Sequence, residues 1–213
     1  GETALQLEPA LKPGIAGAWH YEGDCHLRPD KLLDELRKRL EGMGVEFLES
    51  TAVESFEKGG PAGGAARAVA KNAAGQRVNV DADHFVVATG AMTPFLNEHL
   101  GVRIPIEPGK GYSITMTKPG RMPKYPLIFE DSHVAVTPME TGYRIGSTME
   151  FVGYDTSINQ KRLGLLTAAA EKHLVDPLGA EVKEEWYGWR PMTWDGRPII
   201  DRSPAHRNVW IAA

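Results

Sequence analysis

The sequence predicts an α+β protein: an antiparallel or mixed sheet with covering helices. Three observations lead there. The segments "GYSITMT", "PLIFED", "HVAVTPM" and "GYRIGSTMEF" follow one another after Gly101, short and turn-bounded as the strands of one antiparallel sheet are. Residues 27–44 and 157–174 carry apolar side chains at steps of three and four, the period of an amphipathic helix. "HFVVATG" is apolar at every position from Phe85 to Ala88, as a strand buried on both faces is.

The first helix, in "LRPDKLLDELRKRLEGMG", has Pro29 in its first turn, acids early and bases late, with Leu33, Leu36, Leu40 and Met43 along one face. Before it, "GETALQLEPALKPGIAGAWHYEGD" reads as loop. After it, "VEFLES" reads as a short strand, and "TAVESFEK", "ARAVAKN" and "QRVNVDA" read as an antiparallel meander turning at "GGPAGG" and "AAG". The Phe85–Ala88 strand ends at Gly90, and Thr93 with Pro94 suits the cap and first turn of a short helix. In the second sheet Thr141-Gly142 is the expected hairpin turn. The second helix opens on a capping box, Ser157-x-x-Gln160, and lays Leu163, Leu166, Ala170 and Leu174 on one face against that sheet. "EVKEEWYGWR" and "RNVWIAA" are the last expected strands.

Composition removes several classes of function. The net charge is −4 and Lys and Arg are scattered over the 213 residues, so no basic stripe invites nucleic acid. The single cysteine, Cys25, makes no internal disulfide, which fits a reducing compartment. No histidine or cysteine spacing suits a metal, and none is expected. No apolar run approaches the ~20 residues that cross a bilayer, and the first residues are Gly-Glu-Thr rather than a basic, apolar leader. A cytoplasmic location is expected.

The chemistry concentrates in "WYGWRPMTWDGRPII", where three of the five tryptophans surround two arginines. A guanidinium matches a carboxylate in two parallel hydrogen bonds and stays charged at working pH. Arg190 therefore reads either as a carboxylate clamp in an apolar slot or as a surface arginine stacked on Trp189 or paired with an acid. Arg197, after the turn-like Asp195-Gly196, reads as structural. Gly90, ending the "VVATG" strand, either lets a ligand approach the backbone or simply turns the chain. "GGPAGG" lacks the Lys-Ser/Thr of a phosphate loop and is a hairpin tip. Asp24, Cys25 and His26 are contiguous, which argues against a catalytic set, since such partners converge from separate elements. Tyr112 and Tyr143 lie on strands of the second sheet, as pocket or packing residues.

In order and spacing, "GDCHLRPDKLLDEL", "FVVATGA", "IEPGKGYSIT", "GYRIGSTMEFVGYD" and "WYGWRPMTWDGRPII" make the chain resemble the FAD-dependent D-amino-acid oxidase and glycine oxidase superfamily, nearest its bacterial D-amino-acid dehydrogenases. The resemblance implies that residues 1–100 are the middle part of an FAD-binding α/β domain, 101–190 a substrate domain, and 191–213 a return to the FAD domain. It implies Arg190 as the substrate-carboxylate ligand, Tyr112 and Tyr143 as candidate pocket residues, and main-chain contacts to FAD at Val53, Thr89 and Gly90. The implied partners are an amino acid and an unidentified electron acceptor, and the implied location is cytoplasmic or peripheral to the inner membrane. A sarcosine, glycine or 2-hydroxy-acid enzyme is the alternative within the superfamily, and a non-catalytic carboxylate-binding module the alternative outside it. The family's opening G-x-G-x-x-G turn and its closing glycine-rich flavin contact have no counterpart in these residues, and Asp201 stands where the family usually has glycine. The expectation is an internal fragment, binding FAD weakly or not at all without the rest of its FAD domain.

Overall fold

A computed structural model describes residues 1–58 and 66–213; "GGPAGG" lies outside the described residues. The helices are α1 (Glu2–Leu7), α2 (Pro29–Glu41), α3 (Asn97–Leu100) and α4 (Gln160–His173), with a 3₁₀ helix over Gly90–Leu96. The strands are β1 (Ala52–Lys58), β2 (Ala66–Lys71), β3 (Arg77–Val80), β4 (Phe85–Val87), β5 (Glu107–Met116), β6 (Leu127–Phe129), β7 (Val134–Met139), β8 (Gly142–Phe151), β9 (Val182–Met192), β10 (Ile200–Arg202) and β11 (Val209–Ala212). The chain divides into two compact units, one of residues 1–36 and 110–188, the other of residues 37–109 and 189–213. The expected cuts at 100/101 and 190/191 thus fall at 109/110 and 188/189, and residues 1–36 cluster with the second sheet.

The first unit is built on a five-stranded sheet in the order β6-β7-β8-β5-β9. The β7–β8 pair is an antiparallel hairpin with Met139 opposite Gly142, as the Thr141-Gly142 turn implies. α4 packs on it through Leu163, Leu166 and Ala170, and these with Leu174 join Tyr112, Ile114, Val136, Tyr143 and Ile145 in one core. The expected apolar face is therefore the buried one. The helix cap is not the expected one: the Asn159 side chain accepts from the Lys161 amide, while the Ser157 hydroxyl donates to Asp155 at 2.7 Å and Gln160 donates to Glu185. Ser157 is occupied elsewhere, so the nearer side chain takes the free amide. The opening segment, read as loop, contains α1; the buried carboxylate of Glu8 beyond it accepts from the amides of Ala10, Lys124 and Tyr125.

The second unit holds two three-stranded sheets. In one, β1-β2-β3 form the expected antiparallel meander. In the other, β10-β11-β4, β11 runs parallel to β4 and antiparallel to β10. Val87, Leu96, Leu100, Ile104, Val209 and Ile211 form its core with Phe56. Three expectations change. "VEFLES" forms no strand. β4 is an edge strand whose Val86 is 65% exposed, so it is not covered on both faces within the described residues. The short helix begins at Gly90 and takes Pro94 inside it; three-residue hydrogen bonding leaves room for a proline that an α-helix interior would reject.

α2 forms as expected with Pro29 first. None of its residues is buried, and Leu33, Leu36 and Leu40 stay exposed. Among the described residues no helix is long and apolar enough to cross a membrane.

Candidate functional site

Within the second unit, a cavity of about 470 Å³ is lined by Val53, Glu54, Thr89, Met92, Phe95 and Leu96. β1 supplies the first two, and the 3₁₀ helix with the residue before it supplies the rest. The lining is apolar apart from the Thr89 hydroxyl and the Glu54 carboxylate. Thr89 is steadied from behind, its hydroxyl 3.0 Å from that of the fully buried Thr93. Gly90 follows with φ +52°, a left-handed conformation that L side chains rarely adopt. Space does not demand glycine there, because an added Cβ would meet Pro191 only at an ordinary 3.8 Å. The backbone turn does. Val53 and Thr89, remote in sequence, thus line one cavity, and Gly90 follows Thr89 without lining it.

Arg190 stands on β9 with its side chain exposed. Among the described residues its guanidinium has no hydrogen-bond or ion-pair partner, so the surface-pair alternative finds no acid. Of the neighbouring tryptophans, Trp186 is 52% and Trp194 90% exposed, so neither is buried in a closed slot. Arg190 does not line the cavity above.

Tyr112 and Tyr143 are interior residues of the first unit, 2% and 0% exposed. Neither opens on the described cavity, and both belong to the core under α4. Burial drives the Tyr143 phenol well above its ordinary pKa, so it stays neutral and serves as a packing residue. Cys25 is exposed, and His26 donates from Nε2 to the Pro138 carbonyl at 3.0 Å, a structural tie rather than half of a catalytic pair. No group of three or more His, Cys, Asp or Glu side chains is placed to hold a metal among the described residues.

A polar cluster in the first unit escapes the sequence reading. Lys110 is fully buried; its ammonium donates to Asp155 at 2.7 Å and to the Ser157 carbonyl. It also lies over the rings of Tyr187 and Tyr112, at 4.7 and 5.4 Å. Beside it the Tyr112 hydroxyl donates to Glu150 at 2.6 Å, and Glu150 also accepts from Arg162 and Asn159. Lys110 shares strand parity with Tyr112, Ile114 and Met116, which are all buried. A lysine in an inward register was the available signal.

The charges in this cluster are held by their partners. Burial opposes the Lys110 ammonium, yet the hydrogen bonds to Asp155 and Tyr112 outweigh it and its pKa is raised. The Lys110 and Ser157 hydrogen bonds bring Asp155 from 3.8 to about 2, and the Tyr112 hydrogen bond holds Glu150 below its usual range. A carboxylate depressed in the folded state contributes stability above its unfolded pKa, lost as pH falls through the folded value. The expected result is unchanged stability near neutrality and a progressive loss from about pH 4 towards 2. Denaturant titrations at stepped pH followed by circular dichroism check this; Asp155→Asn should flatten the acid limb.

The chain shares its fold with the glycine oxidase of Geobacillus kaustophilus, on which it superposes with a TM-score of 0.84, at 24% identity over 99% of this chain and 55% of that one. The chain belongs to the DAO family, FAD dependent oxidoreductase, which it matches over residues 1–213. It is similar to the D-amino acid dehydrogenase of Chromohalobacter salexigens, 34% identical over 99% of this chain and 50% of the relative. It is 33% identical to that of Granulibacter bethesdensis over 99% of this chain and 48% of the relative. The chain spans about half the length of these curated relatives.

The cavity fits one end of FAD. A flat heterocycle needs an apolar slot with few polar groups at its edge, and Val53, Met92, Phe95 and Leu96 form such a slot with Thr89 and Glu54 at the margin.

Proposed function

We propose that the complete protein oxidises an amino acid, of the D series, to the imino acid, which water converts to a 2-oxo acid and ammonia. FAD, when bound, supplies the hydride acceptor. The residues of this chain bind and orient. Val53 and Thr89 hold the adenine end in the cavity they share, and the left-handed turn at Gly90 keeps the main chain close to the cofactor. The Arg190 guanidinium takes the substrate carboxylate in two parallel hydrogen bonds, which fixes the direction of the Cα–H bond. Because orientation carries the reaction, no strongly perturbed general base is needed at the substrate.

One observation carries this reading: the residues that the family resemblance assigns to FAD, Val53 and Thr89, line a single cavity of suitable size and polarity. The substrate half is supported by the two D-amino acid dehydrogenase relatives, and Arg190, without an ion-pair partner among the described residues, has its guanidinium available for a carboxylate.

The test is a panel of D- and L-amino acids, glycine, sarcosine and 2-hydroxy acids added anaerobically to the flavin-loaded complete protein, with bleaching of the flavin absorbance as the readout. Bleaching by D-amino acids is the expected result. Bleaching by glycine, sarcosine or 2-hydroxy acids alone overturns the substrate class, and none at all overturns the enzyme reading in favour of a carboxylate-binding module. Oxygen uptake against reduction of a soluble quinone then identifies the acceptor.

A further inference from the structure

A fully buried ammonium is costly unless its charge and its donors are met. Lys110 meets both requirements through one segment. Its single carboxylate partner, Asp155, and its carbonyl partner, Ser157, both lie between β8 and α4, where residues 152–159 have no helix or strand. Asp155 is itself half-exposed while the lysine beneath it is fully buried. The segment thus crosses over the ammonium and closes it from solvent. It begins at Gly153, whose φ of +60° and empty surroundings make a free pivot. It ends at Asn159, which caps α4 and donates to Glu150. Ile158 adds an apolar foot against the core.

We propose that Lys110 is a positioning residue that latches the 152–158 segment as a strap over the sheet, with Gly153 as its pivot and the Asp155 carboxylate as its catch. Ordering an irregular segment costs backbone entropy, and the Ser157 hydroxyl's hydrogen bond to Asp155 converges on the catch itself. Closing the strap also dehydrates the ammonium. The two costs are met together, because the strap supplies the lysine's partners and the lysine supplies an anchor for the strap. The Lys110 ammonium lies over the Tyr112 and Tyr187 rings, so the catch meets a positioned donor. The strap therefore has a latched state and a released state, and the Lys110–Asp155 pair sets the balance between them. This holds whatever the substrate of the enzyme.

The experiment is amide hydrogen exchange on the full chain, read peptide by peptide, for wild type, Asp155→Asn, Lys110→Met and the double variant. Lys110→Met keeps an unbranched apolar stem and removes the charge. Asp155→Asn alters a half-exposed group and is the variant that leaves folding intact if Lys110→Met does not. Exchange within residues 153–158 is expected to rise at least tenfold in each single variant, with the peptides of β7, β8 and the second half of α4 unchanged. In the Lys110→Met background, Asp155→Asn should add nothing further. Unchanged exchange of the strap in Asp155→Asn overturns the latch and leaves Ile158 and Asn159 as its anchors. A rise spread over the whole sheet, or additive effects in the double variant, overturns it too, since Lys110 would then be a general core residue.

Discussion

Arg190→Ala in the complete enzyme is expected to lower kcat/KM for its amino-acid substrate by roughly 2–5 kcal/mol of transition-state stabilisation, the cost of breaking a charged, bidentate hydrogen-bonded pair. Thermal stability should stay close to wild type, because the side chain is exposed and has no partner among the described residues. This separation of activity from stability is the diagnostic feature. Arg190→Lys should recover only part of the loss: an ammonium supplies the charge but not the planar fork. Substrates lacking the carboxylate should be insensitive to the change. Steady-state kinetics on the three proteins, with flavin content measured for each, checks the expectation. Near-normal kinetics for Arg190→Ala at full flavin occupancy would remove the clamp and return Arg190 to the solvated surface, without touching the assignment of the Val53–Thr89 cavity.

What the sequence makes legible is what is decided within a few residues. The β8 strand runs over the same residues, 142–151, as the expected strand "GYRIGSTMEF", and the inward face of α4 holds the leucines that recur at helical steps. The helix over residues 29–41 needs only its proline start and its charge order. Features set by distant partners were not legible. "VEFLES" has the residues of a strand but pairs with no neighbour among the described residues. Val86 is apolar yet lies on an edge strand, because coverage depends on what packs there and not on the side chain itself. Ser157 has the spacing of a cap, but Asp155 and Lys110 claim that part of the segment. The same limit applies to the site. Family likeness singles out Val53 and Thr89, which line one cavity, but not Glu54, Met92, Phe95 or Leu96 beside them. The interior positions of Tyr112 and Tyr143 required knowledge of which strand face α4 covers.

Gly179 carries the other large expectation. In "DPLGAEV" it looks like an ordinary loop glycine, and its φ is not in the left-handed region. Its constraint is one of space: a Cβ there would fall well inside van der Waals contact of the Thr117 carbonyl and press on Met116. The approach is tied on both sides, with the Thr117 amide donating to Glu181 at 2.9 Å and the Glu181 amide donating to the Thr117 hydroxyl at 3.1 Å. These bonds bring the start of β9 beside the end of β5, so the obstacle is backbone that cannot rotate away. Gly179→Ala is therefore expected to destabilise the protein by about 3 kcal/mol, the upper end for overpacking, where a flexible side-chain neighbour would give less. Gly164→Ala is the control. It lies in α4 with nothing within 4 Å of the added methyl, and removing a helix-interior glycine should stabilise by roughly 0.5–1 kcal/mol. Urea unfolding of the two variants gives opposite shifts of the midpoint if the argument holds. A Gly179→Ala protein as stable as wild type would mean that β9 can slide along β5, and the strand that carries Arg190 would then lack a fixed register.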